Sequence, residues 1–232
     1  MTTLPRTPAR AGRARPAPDT RRFAGRAALR LVASAVVMTG ILIGIGLLLT
    51  RVLPGHWPVN SEDRVNRWFA AHRTGTLDTL THYGSWAGET VTIIAGTGVA
   101  ALVLRLALHR WRESLFLIAA VAGQAIVFFC TQLAISRQRP HVHRLDPSPP
   151  TTSFPSGHTG AALALYGGLA VILLLHTRWA RLWAVPLLLL PVAVGVSRMY
   201  RGMHHPTDVA ASVVNGAGWL YAGGRTFLAR MR

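Results

Sequence analysis

Residues 29–53 read LRLVASAVVMTGILIGIGLLLTRVL, an apolar run with one arginine near each end. A helix of this length spans the roughly 30 Å of hydrocarbon in a bilayer. A long arginine-rich segment precedes the run and no small-residue cleavage site follows it, so the pattern of a secretory signal peptide is not met. The stretch predicts a retained transmembrane helix.

The composition of the whole chain agrees with a membrane protein. Of 232 residues, 50% are apolar and 14% are charged. All 25 basic residues are arginines, which cluster between apolar runs and give a net charge of +17 without a nucleic-acid-binding motif. We therefore expect membrane lipids as partners and no nucleic acid. The single cysteine, Cys130, excludes an internal disulfide.

Further apolar runs predict a helical bundle. The predicted spans after the first are residues 86–108, 114–136, 157–176, 179–197 and, more weakly, 208–228. Segment 54–85 is more polar and suits the membrane interface, with a short amphipathic piece near 62–72. The expected fold is all-α, a six-helix transmembrane bundle over residues 29–230, after a disordered basic tail over residues 1–28.

Arginine placement predicts the orientation. With six spans, the tail, the connections after spans 2 and 4, and the C-terminal end share an arginine-rich side, which the positive-inside rule makes cytoplasmic. Arginines on the opposite side weaken this signal, and we attribute them to function. We expect a multi-pass plasma-membrane protein with cytoplasmic termini and an external site.

Two connections on the external side combine arginines, histidines and an aspartate. They read SRQRPHVHRLDPSPPTTSFPSGH at 136–158 and SRMYRGMHHPTD at 197–208. Ionisable side chains are costly beside hydrocarbon, and their use there indicates function. We expect both connections to meet in one pocket at the outer water–lipid boundary.

These residue types suit a phosphate group. Arginine forks match phosphate oxygens, and the free N–H groups of a helix that starts near Gly157 attract anions. Ser156 adds a hydroxyl donor, and His158 can protonate a leaving oxygen. If the turn is helical, His204 can hydrogen-bond to Asp208 four residues later, which leaves its other ring nitrogen free as a nucleophile.

Three motifs carry a family resemblance. They are RP at 139–140, PSGH at 155–158 and SR-x5-H-x3-D at 197–208. In order, spacing and membrane context, residues 85–225 resemble the type 2 phosphatidic acid phosphatase superfamily of integral-membrane lipid phosphatases. The resemblance implies a six-span helical fold and metal-independent hydrolysis of a lipid phosphate through a phosphohistidine, with no cofactor.

The resemblance also implies residue roles. His204 matches the nucleophile, Asp208 its orienting partner and His158 the general acid that protonates the leaving group. Water would then release inorganic phosphate from His204. The residues that match the phosphate-binding positions are Arg139, Ser156, Gly157 and Arg198.

One position departs from the family pattern. The first motif is Lys-x6-Arg-Pro, and Gln132 occupies the place of the lysine, seven residues before Arg139. We keep Gln132 among the phosphate-binding residues because its amide can donate a hydrogen bond, with Arg137 as a partial substitute for the lost cation. The change predicts a narrower substrate range or a slower reaction.

For three further residues in the two connections, the sequence predicts only a general role. His205 is interpreted as structural and Asp146 as a turn residue. Arg201 is either a contact for a second phosphate or a surface charge.

Three function classes remain open. The leading hypothesis is hydrolysis of a polyprenyl diphosphate, with phosphatidic acid and phosphatidylglycerol phosphate as rival substrates. The second class is a phosphotransferase that passes phosphate to a lipid or sugar acceptor. The third is a non-catalytic lipid-binding protein, to which Gln132 would point. The sequence makes no prediction of the oligomeric state.

Overall fold

The computed structural model describes residues 20–147, 151–177 and 180–229. Within these ranges the regular structure is helical, which confirms the all-α prediction. The α-helices are α1 (Thr20–Leu47), α2 (Val59–Ala71), α3 (Gly75–Trp86), α4 (Thr90–Leu108), α5 (Arg112–Ala134), α6 (Gly157–Ala162), α7 (Gly168–His176), α8 (Ala180–Tyr200) and α9 (Pro206–Gly223). Three π-helical turns extend α1, join α6 to α7 and extend α9; they are Leu48–Val52, Leu163–Gly167 and Gly224–Leu228.

Five segments of the described chain are long and apolar enough to cross a membrane, and they match the first five predicted spans. They are Arg21–Val52, Thr90–Leu108, Arg112–Ala134, Gly157–His176 and Ala180–Tyr200. Large apolar side chains on these helices are exposed, as expected for surfaces that face lipid. The protein is therefore an integral membrane protein.

Helix α9 occupies the position of the weak sixth span and is not among the five segments that are long and apolar enough to cross a membrane. Its buried residues include Asp208, Ser212 and Asn215. The helix packs against α1, α5 and α6, so neighbouring helices cover its polar face. This covering explains why the hydropathy of the sixth span is low although the helix belongs to the bundle.

The N-terminal boundary differs from the prediction. Helix α1 begins at Thr20, so residues 20–28 are helical and do not belong to a disordered tail. This segment is rich in alanine and arginine, which favour helix, and Ala27 is buried. The remainder of the predicted tail, residues 1–19, lies outside the described residues.

The segment between the first two spans is more ordered than the sequence indicated. Helix α2 matches the predicted amphipathic piece, but α3 was not predicted. Thr74 caps α3 by accepting a hydrogen bond from the Leu77 N–H (3.3 Å). Helix α3 packs closely on α8, since a Cβ at Gly84 would lie 2.2 Å from Ser197 Oγ. This contact brings α3 beside the connections 136–158 and 197–208.

A second close approach brings together α5, which precedes the first motif, and α9, which begins within the third motif. A Cβ at Gly123 in α5 would lie 2.2 Å from the indole ring of Trp219 in α9. The connection after α5 then pairs with the segment around the start of α9, through Leu145 N–H to Arg201 O (3.1 Å) and Ser156 N–H to Asp208 O (3.2 Å). The two charged connections are thereby held together, as predicted.

Candidate active site

The connections 136–158 and 197–208 and the helices α3 to α6 and α8 line a cavity of about 660 Å³. Six of the eight predicted site residues line it: Gln132, Arg139, Gly157, His158, Arg198 and His204. The other two, Ser156 and Asp208, are fully buried behind its wall. Residues that are up to 72 positions apart in the chain thus line the same cavity.

His204 lies two residues before α9 and is nearly buried. Its Nδ1 is 2.7 Å from the backbone oxygen of Ser153. Since a carbonyl oxygen can only accept, Nδ1 carries the proton and donates, which leaves Nε2 as the unprotonated nitrogen. The direct hydrogen bond to His204 Nδ1, predicted for Asp208, is made by the backbone oxygen of Ser153 instead.

Asp208 stays near His204 but bonds elsewhere. Its Oδ2 is 3.8 Å from His204 Nδ1, beyond hydrogen-bond distance, and accepts from the His205 N–H at 2.8 Å. The predicted bond required His204 to lie on the helix face of Asp208, but α9 begins only at Pro206. Asp208 therefore fixes the backbone at the start of α9, and His205 Nδ1 lies 3.3 Å from the same oxygen.

The surroundings of His204 keep its imidazole neutral. Burial lowers the pKa of His204 below its ordinary value of 6.5, because a buried imidazolium loses its hydration. The neutral ring, with a free lone pair on Nε2, is therefore the main form at neutral pH. This is the protonation state that a nucleophilic histidine needs.

Two arginines present buried N–H groups beside the cavity. Arg198 Nη1 donates to Ser85 Oγ at 2.7 Å and to Asp146 Oδ2 at 2.9 Å, whereas Arg139 Nη1 donates to Met203 O at 2.8 Å. The Nε atom of each arginine is buried and has no hydrogen-bond acceptor among the described residues. Because an unpaired buried donor is costly, this arrangement favours an anionic ligand in the cavity.

Asp146 has a role that the sequence analysis missed. Its carboxylate bridges Arg198 (2.9 Å) and Arg201 (2.6 Å) from the bend at Leu145 and Asp146, a role beyond the predicted turn. Burial raises the pKa of Asp146, but the hydrogen bonds from Arg201 and the charge of Arg198 outweigh it and hold the pKa below 3.8. Arg201 is buried against this carboxylate, so its interpretation as a surface charge is wrong, and it does not line the cavity.

The PSGH motif divides between the cavity and its support. Helix α6 begins at Gly157, close to the predicted start, and Gly157 and His158 face the cavity. The Ser156 hydroxyl lies 3.0 Å from Thr159 Oγ1 and does not line the cavity, in contrast to its predicted contact with phosphate. The backbone oxygen of Ser156 accepts from Ser212 Oγ of α9 (2.6 Å), which ties the second motif to the third.

Gln132, which stands where the family motif has a lysine, adds no charge to the cavity. Gln132, near the end of α5, lines the cavity. Arg137 does not replace the lysine there, because its guanidinium points to the opposite side and contacts Glu62 and Asp208. The expected partial substitution by Arg137 is therefore wrong.

One wall of the cavity is apolar and continues to the surface of the bundle. It is formed by Trp86, Val91, Phe128 and Phe129. Val91 and Phe129 are 73% and 62% exposed on helices that cross the membrane. The cavity therefore joins a charged end to an apolar side that opens towards lipid.

The C-terminal half of the chain shows which protein family it belongs to. The family model described as PAP2 superfamily matches residues 113–232, more than half of the chain. The chain belongs to the PAP2 superfamily. This match confirms the predicted resemblance, and it leaves α2 and α3 outside the matched region.

Proteins similar in sequence include an undecaprenyl-diphosphatase from Sulfolobus acidocaldarius, 34% identical over 113 residues. These residues are 49% of this chain and 49% of the relative. The undecaprenyl-diphosphatase BcrC of Bacillus subtilis is 36% identical over 101 residues, 42% of this chain and 48% of the relative. The chain thus matches about half the length of these curated relatives.

Solved structures of PAP2 proteins share the fold. A PAP2 type phosphatidylglycerolphosphate phosphatase from Bacillus subtilis superposes with a TM-score of 0.70 at 19% identity, over 83% of this chain and 94% of that chain. LpxE of Aquifex aeolicus gives a TM-score of 0.53 at 21% identity, over 70% and 92% of the two chains.

Proposed function

We propose that this PAP2 protein removes phosphate from a lipid phosphate or diphosphate through a phosphohistidine at His204. The observation that carries the proposal is the shared cavity, in which His204 and His158 lie with Arg139 and Arg198 beside an apolar, lipid-facing wall. A phosphate held by the two arginines would have its lipid portion along that wall. Membership of the superfamily supports the same chemistry.

In the proposed reaction, the lone pair on His204 Nε2 attacks phosphorus and the bond to the leaving oxygen breaks. Ser153 O holds the proton on Nδ1, and the nearby Asp208 carboxylate stabilises the positive ring that forms. The negative charge of the bound phosphate favours a protonated His158, which gives its proton to the leaving oxygen. His158 then takes a proton from water as the water attacks the phosphohistidine, which releases inorganic phosphate and restores His204.

The proposed substrate is a polyprenyl diphosphate. Two curated relatives that match almost half of this chain are undecaprenyl-diphosphatases. Their activity supports this choice over phosphatidic acid and phosphatidylglycerol phosphate. We also propose that the reaction is independent of metal ions. Among the described residues no group of three or more His, Cys, Asp or Glu side chains is arranged to hold one.

A panel of lipids in detergent tests the proposal. It contains polyprenyl diphosphate, polyprenyl monophosphate, phosphatidic acid and phosphatidylglycerol phosphate, each with and without EDTA. We expect the highest kcat/KM for the diphosphate and no effect of EDTA. Transfer of label to an added lipid or sugar alcohol would identify a phosphotransferase, and lipid binding without phosphate release would identify a non-catalytic protein.

We propose that the cavity opens on the external side of the plasma membrane and that both termini are cytoplasmic. The arginine distribution supports this orientation. A reporter fused to the C-terminus should be active in the cytoplasm. A C-terminal fusion that is active only outside the cell would contradict the orientation.

Restoring a cation at position 132 is expected to strengthen substrate binding. The ammonium group of a Gln132→Lys variant would face the cavity and attract the phosphate, so KM should fall about fivefold to tenfold. Gln138→Lys is the matched control because it adds the same charge in the adjacent loop, outside this cavity. An unchanged KM in the first variant would show that position 132 does not contact the substrate.

A further inference from the structure

The inner face of α2 carries buried polar side chains. Glu62 and Asn66, one helical turn apart, are 3% and 0% exposed. Burial of a carboxylate and an amide is unfavourable unless both find hydrogen-bond partners. An interfacial helix that served packing alone would bury apolar residues on this face. The partners of Glu62 and Asn66 therefore indicate what α2 does.

Both residues bond to the segment that carries His204. Asn66 Nδ2 donates to the backbone oxygens of His204 (3.1 Å) and Met199 (3.2 Å). Glu62 Oε1 accepts from the Thr207 N–H at 2.8 Å, at the first turn of α9. Helix α2 thus holds the chain on both sides of the imidazole, although it lies outside the region that the family model matches.

Arg137 connects Glu62 to Asp208. Its Nη2 bonds to Glu62 and its Nη1 to Asp208, and all three side chains are at most 8% exposed. We name this arrangement the Glu62–Arg137–Asp208 bridge. A guanidinium can join two carboxylates in a fixed geometry because its N–H groups form a rigid, planar fork.

We propose that Glu62 and Arg137 are positioning residues for the nucleophilic histidine, acting through Asp208 and the start of α9. Neither residue lines the cavity, so neither is placed to touch the substrate. The inference rests on the proposed function, since it assigns the bridge to the same phosphohistidine reaction. Removal of either residue should lower kcat and leave KM nearly unchanged.

The bridge also contributes to the electrostatic potential at His204, because Asp208 Oδ2 is 3.8 Å from His204 Nδ1. The charged and titratable groups that face this ring are Arg139, Arg198 and His158 on the cavity side and Asp208 on the other, and His205 in turn contacts Asp208. Loss of the Arg137 charge leaves Asp208 uncompensated, which favours a protonated His204 and raises its pKa. Loss of the Glu62 charge has the opposite sign and lowers the pKa.

Three variants and one control test the inference. We expect kcat to fall about tenfold in Glu62→Gln and about 100-fold in Arg137→Ala, with partial recovery in Arg137→Lys. The acid limb of the kcat/KM profile should move to lower pH in Glu62→Gln and to higher pH in Arg137→Ala. Arg67→Gln, on the exposed face of α2, should behave as wild type.

Orthovanadate, which mimics a transferring phosphoryl group, supplies a readout besides turnover. We expect both bridge variants to bind it more weakly than wild type, in proportion to their loss of kcat. The positioning role would be overturned if folded Glu62→Gln and Arg137→Ala kept the wild-type kcat and vanadate affinity. It would also be overturned if the acid limbs of their kcat/KM profiles moved in the same direction. A wild type that binds vanadate but hydrolyses no lipid phosphate would refute the proposed function alone, and the vanadate comparison would still decide the positioning role.

Discussion

Replacing His204 by alanine is expected to abolish phosphate release from every lipid in the panel, by a factor of at least about 10⁴. In the proposed reaction, the variant lacks the lone pair that attacks phosphorus, so the remaining cavity residues would bind phosphate without forming the intermediate. Wild-type protein quenched during turnover with terminally labelled diphosphate should carry acid-labile label on the chain. His204→Ala should carry none.

His205→Ala is the matched control for the nucleophile. His205 is the neighbouring histidine and also contacts Asp208, but it does not line the cavity. We expect it to keep the covalent label and to lose less activity than His204→Ala. Covalent label in a His204→Ala variant that elutes as a monodisperse, folded protein would contradict the assignment.

Arg198→Ala should produce the second-largest effect, a loss of about 10²–10³-fold in kcat/KM for the diphosphate. The guanidinium of Arg198 is held by Ser85 and Asp146 while its Nε remains unpaired beside the cavity. It is therefore positioned in advance for the charge that builds on phosphate oxygens. Arg198→Lys should recover little, because an ammonium cannot bond to both anchors and the phosphate with the same geometry.

A comparison of Arg198→Ala with Arg201→Ala distinguishes phosphate binding from the positioning of Asp146. Both arginines pair with this carboxylate, but Arg198 lines the cavity and Arg201 does not. Steady-state kinetics with the diphosphate should therefore show a smaller loss for Arg201→Ala than for Arg198→Ala. Equal losses would mean that the role of Arg198 is to hold Asp146, and the phosphate contact would be refuted.

The crossing helices and the cavity residues were predictable because their signals are local. Apolar runs of sufficient length mark the spans, and the three motifs stand in connections that the topology places on one side. The hydrogen bond from His204 to Ser153 had no such signal, because any residue type supplies a backbone oxygen. Its acceptor depends on how the preceding loop lies over the start of α9.

The contributions of α2 and Asp146 depend on pairs that are distant in the chain. Glu62 and Asn66 would be assigned to a solvated face by polarity alone, yet the structure buries them against partners more than 70 residues away. Asp146 follows a loop rich in arginine and histidine, and its two arginine partners lie more than 50 residues later. Such polar pairs leave no periodic pattern in the sequence.

The low apolar content of α9 has a consequence for biogenesis. A segment with Asp208 and Asn215 partitions poorly into lipid alone, so its insertion depends on α1 and α5 being already in place to receive it. His204 and the start of α9 then reach their final geometry when the last helix docks. A chain whose last helix has not docked would accordingly lack the final geometry of the His204 imidazole, and the proposed hydrolytic activity would report completed assembly.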